Sequence, residues 1–230
     1  MCFLSYTAQA QDTIVLSQDL ELIPVNEHTW IHKSFMTTQE FGRISANGIV
    51  YINGKEAIVG DTPTNEEQSA LLIDWLEKQK INVKAIIVNH HHTDALGGLP
   101  AFHKKSIPSY GHVLTQNLTE DPLLKPWHTF SDSMSMTIGS KSVKAYYFGK
   151  GHTDGNIALW IPNDQLLFGG CLIKSLRAGK GYLGDASIED WPVTVRKIQS
   201  YFPHIKTVIP GHGKYGNKEL LDATIEIIAN

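Results

Sequence analysis

Asn89-His90-His91-His92-Thr93-Asp94 decides how the rest of the chain is read. The apolar run Ala85-Ile86-Ile87-Val88 before it reads as a buried strand, and a segment containing Gly97-Gly98 follows it. Three histidines and an aspartate crowded at the mouth of a strand do not build a core. His90, His92 and Asp94 fall at i, i+2 and i+4, which in an extended chain puts all three on one side and turns His91 away. On a helix each step of two would rotate the side chain by roughly 200° and scatter them. The spacing predicts metal ligands leaving a strand end, with further ligands supplied by distant parts of the chain.

The 230 residues suffice for one large domain, or for two halves sharing a core. Hydrophobic content of 42% with 19% charged residues is that of an ordinary globular protein. The formal net charge of −3 attracts neither nucleic acid nor an anionic membrane, so neither is expected as a partner. No apolar run reaches roughly 18 residues, so no spanning helix is expected.

Residues 1–11 carry no charge and end in Ala8-Gln9-Ala10, which resembles a signal-peptidase site. They read as the remnant of a secretory signal, leaving residues 12–230 as a single periplasmic domain. Cys2 lacks the residues that precede a lipoprotein cysteine and is not read as an anchor. The mature chain would then keep only Cys171, with no internal disulfide. A lone thiol in an exported protein needs a reason to survive oxidation, and metal coordination is one.

Along the chain, Gly48–Ile52 and Glu56–Val59 flank Asn53-Gly54 and read as a hairpin. Thr64-x-x-Glu67 is a capping box opening a helix with Leu71, Leu72, Trp75 and Leu76 inward. The strand at 85–88 completes a βαβ-like unit, with the histidines at its carboxyl end. A helix over 94–105, a strand at 107–110, a helical turn at 113–118 and an irregular stretch over 119–132 come next. Strands follow at 134–138 and 143–148. Pro162-Asn163-Asp164 turns a hairpin of 157–161 with 165–168, and a Gly-rich loop covers 172–187. A helix over 189–201, a strand at 207–209 and a last helix from about 217 end the chain. The order reads as an α+β fold of two mixed sheets packed face to face with helices outside. Residues 34–47, polar with Phe35, Met36 and Phe41 among them, fit either a tucked turn or a mobile flap over a site.

Three more metal-capable side chains follow strands: His152 in Gly149-Lys150-Gly151-His152-Thr153, Cys171 in Phe168-Gly169-Gly170-Cys171, and His212 in Pro210-Gly211-His212-Gly213. Glycines at such exits let backbones crowd together. Singly, each is more simply a surface histidine or an inert buried thiol. With His90, His92 and Asp94 they are ligand types from four strand ends, and coincidence becomes a poor account. His28, His32, His91, His103, His112, His128 and His204 lack that context and read as surface or structural. No Gly-x-Ser-x-Gly elbow and no phosphate-binding glycine loop occur.

These ordered motifs, with Leu172-Ile173-Lys174 after the cysteine, resemble metallo-β-lactamases of subclass B1 from about residue 13 onward. The resemblance implies a four-layer αβ/βα sandwich and two Zn2+ ions per chain. His90, His92 and His152 would hold the first zinc, and Asp94, Cys171 and His212 the second. It further implies hydrolysis of the β-lactam amide of penicillins, cephalosporins and carbapenems by a metal-bound hydroxide that Asp94 orients. The partners it implies are small-molecule antibiotics, acted on by a monomer. Lys174 would pair with the substrate carboxylate, Asp61 would support the ligands from beneath, and Phe35, Phe41 and Tyr182 would touch the substrate.

Two departures stand out. Gly155 occupies the position of a usual aspartate, removing a structural hydrogen bond near His152. Tyr182 stands where many members carry an asparagine that helps the oxyanion. A glyoxalase-II-like thioester hydrolase would have histidine at Ala95 and aspartate at Cys171. An iron persulfide dioxygenase would have no use for a thiolate, and a structural zinc site would carry several cysteines.

Overall fold

The strand that ends at the histidines sends alternate side chains into two different cores. Ile86 and Val88 pack with Leu72, Leu76, Leu99 and Phe102, whereas Ile87 packs with Leu159, Phe168 and Ile209. Both faces are thus covered, which is why the run is apolar throughout instead of alternating with polar residues. The structure is a computed structural model and describes residues 12–230. Residues 1–11, read above as a signal remnant, lie outside the described residues.

An eight-stranded sheet holds β1 (Ile14–Ser17), β2 (Leu20–Pro24), β3 (Thr29–Thr38), β4 (Gly42–Asn53), β5 (Glu56–Gly60), β6 (Asn82–Ile87), β7 (Ser109–His112) and β8 (His128–Phe130), side by side in that order. It is antiparallel up to β5 and parallel from there on. A five-stranded sheet holds β9 (Ser133–Ile138), β10 (Lys141–Tyr146), β11 (Ala158–Ile161), β12 (Leu166–Gly170) and β13 (Thr207–Pro210), with only the last pair parallel. The helices are α1 (Glu66–Lys78), α2 (Thr93–Leu96), α3 (Leu99–Lys104), α4 (Val113–Leu118), α5 (Asp190–Tyr201) and α6 (Glu219–Ala229).

The two sheets face each other across one core, with Ile49, Tyr51 and Ile58 meeting Val143, Leu166 and Phe168. Helices α1 and α3 cover the outer face of the larger sheet. Helices α5 and α6 cover the outer face of the smaller one through Trp191, Val195, Leu220 and Leu221. The result is the four-layer sandwich expected from the order of elements. Among the described residues, no helix is long and apolar enough to cross a membrane.

Several local expectations are corrected. The helix over 94–105 is two short helices separated at Gly97-Gly98, where any side chain would strike the Thr64 carbonyl or the Ser69 hydroxyl. The cap of α1 is Asn65, whose side chain accepts from the Gln68 amide, while the Thr64 hydroxyl donates to the Phe35 carbonyl. The 34–47 stretch is no loose loop: β3 and β4 stay paired out to Thr38 and Gly42, leaving a short tip. The irregular 119–132 stretch contains β8, an exposed edge strand with no apolar alternation to announce it.

Candidate metal centre

Every strand exit named above opens on the same end of the sandwich. His90 leaves β6, Cys171 follows β12, His212 follows β13, and His152 lies in the connection from β10 to β11. Asn89 joins the two sheets here. Its amide donates to the carbonyls of Ile157 and Gly169, and its backbone N–H donates to the Asp61 carboxylate. Gly211 is needed for the last approach, since a Cβ there would sit 2.5 Å from Cys171 Sγ. Asp94 arrives differently from the extended reading. His92 caps α2 with extended backbone, and Asp94 then lies in the first turn of that helix. The turn still brings Asp94 Oδ1 to 3.4 Å from His90 Nε2.

The six candidate ligands form two adjoining triads. The rings of His90, His92 and His152 meet edge to face, with centroids 4.7–4.9 Å apart, and His92 Nδ1 lies 3.1 Å from His152 Nε2. In the other triad, Cys171 Sγ is 3.1 Å from Asp94 Oδ2 and 3.3 Å from His212 Nε2, and His212 Nε2 is 3.1 Å from Asp94 Oδ2.

Neighbouring acceptors decide which nitrogen of two rings faces inward. His212 Nδ1 lies 2.6 Å from the Ser45 carbonyl, so Nδ1–H donates there and Nε2 faces into the site. His92 Nε2 lies 2.8 Å from Asp185 Oδ2, so Nε2–H donates there and Nδ1 faces His152. Asp185 and Asn89 carry roles that the sequence reading did not give them. His91 turns out of the triads, with Nε2 3.6 Å from Asp185.

A metal fits this donor set. His90 is fully buried with both ring nitrogens lacking a hydrogen-bond partner, and His152 Nδ1 also lacks one. Such groups are costly to bury unsatisfied. Burial, reinforced by the charge of Asp94, pushes the Cys171 thiol well above its usual range, so only a cation would make it a thiolate. Burial opposes ionisation of Asp94, yet His90 and His212 hold its carboxyl well below the usual range. Burial and the facing His90 keep His152 well below the ordinary histidine value, and therefore neutral. Imidazole nitrogens, a carboxylate and a waiting thiol are what a borderline-soft divalent ion takes.

Asp61 lies beneath, buried, with φ of 57°, a left-handed backbone that a non-glycine residue holds only under constraint. Its backbone N–H donates to the Ile87 carbonyl, and its own carbonyl lies 3.0 Å from His32 Nε2. Burial pushes its carboxyl up, and the charge of Asp94 adds to that.

Above the triads opens a cleft of about 520 Å³. Met36, Phe41 and Ile44 line its hairpin side, and Lys174 and Tyr182 the opposite loop. Tyr182 is half exposed, with its ring 5.6 Å from that of His92. Phe35 is not in the cleft. It lies on the other face of the hairpin beneath Arg43, whose guanidinium sits 4.1 Å from the ring centroid, and Met36 takes the place expected for it. At Gly155 a Cβ would lie 2.6 Å from the Thr115 backbone nitrogen, so the usual aspartate has no room. The Thr115 hydroxyl donates instead to the Gly155 carbonyl at 2.9 Å, tying the loop after His152 to α4.

The fold recurs in known proteins. A model of the metallo-beta-lactamase superfamily matches residues 42–212. The metallo-beta-lactamase type 2 of Bacteroides fragilis is 33% identical over 222 residues, spanning 95% of this chain and 89% of that protein. The protein of the same name from Pseudomonas aeruginosa is 31% identical over 209 residues, 90% of this chain and 84% of that one. A solved metallo-beta-lactamase from Pontibacter korlensis superposes with a TM-score of 0.87 at 31% identity, covering 92% of this chain and 99% of that chain. The chain belongs to the metallo-beta-lactamase superfamily. Within it, the type 2 relatives put the chain in subclass B1.

Proposed function

We propose that this protein is a zinc-dependent β-lactamase that opens the amide of penicillins, cephalosporins and carbapenems and so confers antibiotic resistance. One observation carries the reading: an all-histidine triad adjoins a thiol–carboxylate–histidine triad under a cleft that holds a buried lysine. His90, His92 and His152 would hold one zinc, and Asp94, Cys171 and His212 a second. Two such ions, when bound, supply Lewis acidity towards the lactam carbonyl and bring water's pKa down towards about 7.

The chain's own residues do the rest. Lys174 Nζ, on the cleft wall, pairs with the substrate carboxylate and fixes the lactam's orientation. Asp94 sits where both triads meet, and its carboxylate accepts a hydrogen bond from the attacking water and aims it. Asp61, from beneath, keeps Asn89 and the strand end in place. Phe41, Met36 and Ile44 cover the apolar side groups of the substrate and exclude bulk water, and Tyr182 closes the rim. Residues 1–11 as a cleaved leader and a periplasmic monomer of residues 12–230 complete the reading, supported by Ala8-Gln9-Ala10 and by a single sheltered thiol. The thioester-hydrolase alternative gains no support, because Ala95 carries no metal-binding group and a thiol stands at position 171.

The test is hydrolysis by purified, zinc-loaded protein. A chromogenic cephalosporin is opened, and a chelator stops the reaction. Loaded protein that leaves a penicillin, a cephalosporin and a carbapenem all intact would contradict the reading.

A further inference from the structure

Trp191 has no part in the site as described, yet three pieces of that site rest on it. It lies in the first turn of α5 and is wholly buried. Its Nε1–H donates to the Leu172 carbonyl at 2.7 Å, in the turn that carries both Cys171 and Lys174. Lys174 Nζ lies 5.0 Å from its ring centroid, and the His152 ring lies 5.5 Å away.

Lys174 depends on such a partner. Its side chain is buried, and among the described residues no carboxylate forms an ion pair with it. An ammonium removed from water needs compensation, and the face of an indole is the best neutral group to give it. The same contact restricts a flexible four-carbon stem that would otherwise sample many rotamers. One rigid ring thus sets the lysine and a first-triad histidine at a fixed spacing.

We propose that Trp191 is a positioning residue for the anionic end of the substrate, holding the Lys174 ammonium on its indole face at a set distance from His152. The inference rests on the β-lactamase reading and adds a residue that touches neither substrate nor metal. It differs from a purely structural role for a buried tryptophan in one respect: its effect passes through Lys174.

The experiment compares parent, Trp191→Leu and Trp191→Phe, each with Lys174 intact and with Lys174→Ala, all zinc-loaded. The substrate is a cephalosporin with a free carboxylate. With Lys174 present, Trp191→Leu raises KM roughly 3- to 30-fold and changes kcat less. Trp191→Phe, which keeps a weaker aromatic face, raises it less. With Lys174→Ala, the same substitutions leave KM where the alanine put it. Equal rises in both backgrounds would overturn the proposal. Thermal unfolding checks that each variant folds, and the Phe variant serves if the Leu variant does not. A second readout needs no turnover: the ε-methylene protons of Lys174 are shifted upfield by the indole ring current in the parent and lose that shift in Trp191→Leu. Absence of the shift in the parent overturns the proposal, even if no lactam is opened, an outcome that would sink the lactamase reading separately.

Discussion

Cys171 Sγ and Asp94 Oδ2, contributed by residues 77 apart in sequence, lie 3.1 Å from each other in a buried corner of the site. The carboxylate is held anionic by His90 and His212, and burial, reinforced by that charge, keeps the thiol protonated until a metal binds. The pair is therefore arranged for a cation between them, with His212 completing the set. Cys171→Ser is expected to keep the fold and to lose the second ion first, so that bound zinc falls from about two to about one per chain. Elemental analysis after dialysis checks it. Equal zinc content in parent and variant would remove Cys171 from the ligand set.

Asp185 is expected to act through His92. Replacing it by asparagine keeps the shape but exchanges an anionic acceptor for a neutral amide, weakening the hold on the ring whose Nδ1 faces the first triad. Loss of such a supporting carboxylate is expected to lower zinc affinity roughly 10- to 100-fold. Competition with a chromophoric chelator measures this, and unchanged affinity would leave the contact without a metal-supporting role.

Phe41 and Phe35 are expected to part company. Phe41→Ala strips apolar surface from the cleft and raises KM roughly 3- to 30-fold for substrates with bulky apolar side groups. Phe35→Ala leaves KM near the parent value and lowers thermal stability, since its ring is packed under Arg43. Equal effects of the two on KM would mean that the hairpin faces are assigned wrongly.

His32 makes stability depend on pH. It is fully buried, and desolvation brings its pKa down from 6.5 to about 4. Unfolded chains take up this proton below pH 6.5 and the folded protein only near 4, so the unfolded state binds more protons in that window. Stability contributed by neutral His32 is thus present above pH 6.5 and lost as pH falls towards 4, by up to about 3 kcal/mol. Metal-free parent and His32→Gln, unfolded by urea across this range, are expected to differ in slope, with the variant flatter. Parallel curves would show that His32 does not titrate as its burial requires.

Gly155 is expected to resist reversion. Gly155→Asp places a Cβ against the backbone of α4 at Thr115, which cannot swing aside as a flexible side chain would. A cost of about 1–3 kcal/mol in stability is expected, read as a fall in thermal midpoint.

Much of the site was legible because its ligands are chemically unusual for their places. Histidines, a cysteine and an aspartate directly after apolar strands, with glycines beside them, have few other uses. The layering followed from runs such as 85–88, too apolar for a strand with a wet face. What escaped were features set by long-range geometry. Asp185 sits in a Gly-rich loop without periodicity, and its partner is 93 residues away. The helix carrying Asp94 has only four residues, too short to leave a helical pattern. Phe35 lies inside β3 with Met36, its neighbour, turned to the cleft, whereas Phe41 lies in the tip between Thr38 and Gly42. The space denied to an aspartate at Gly155 depends on α4, which the sequence places about forty residues upstream.

The central claim is that the two triads bind metal together and that this binding creates the activity. Zinc titrated into metal-free protein, with bound metal and cephalosporin opening followed in the same samples, tests it most directly. Opening is expected to appear as zinc is taken up, to level off at about two equivalents, and to vanish on chelation. Protein that binds two zinc ions at these residues and opens no β-lactam, or that opens one equally well without metal, would contradict it.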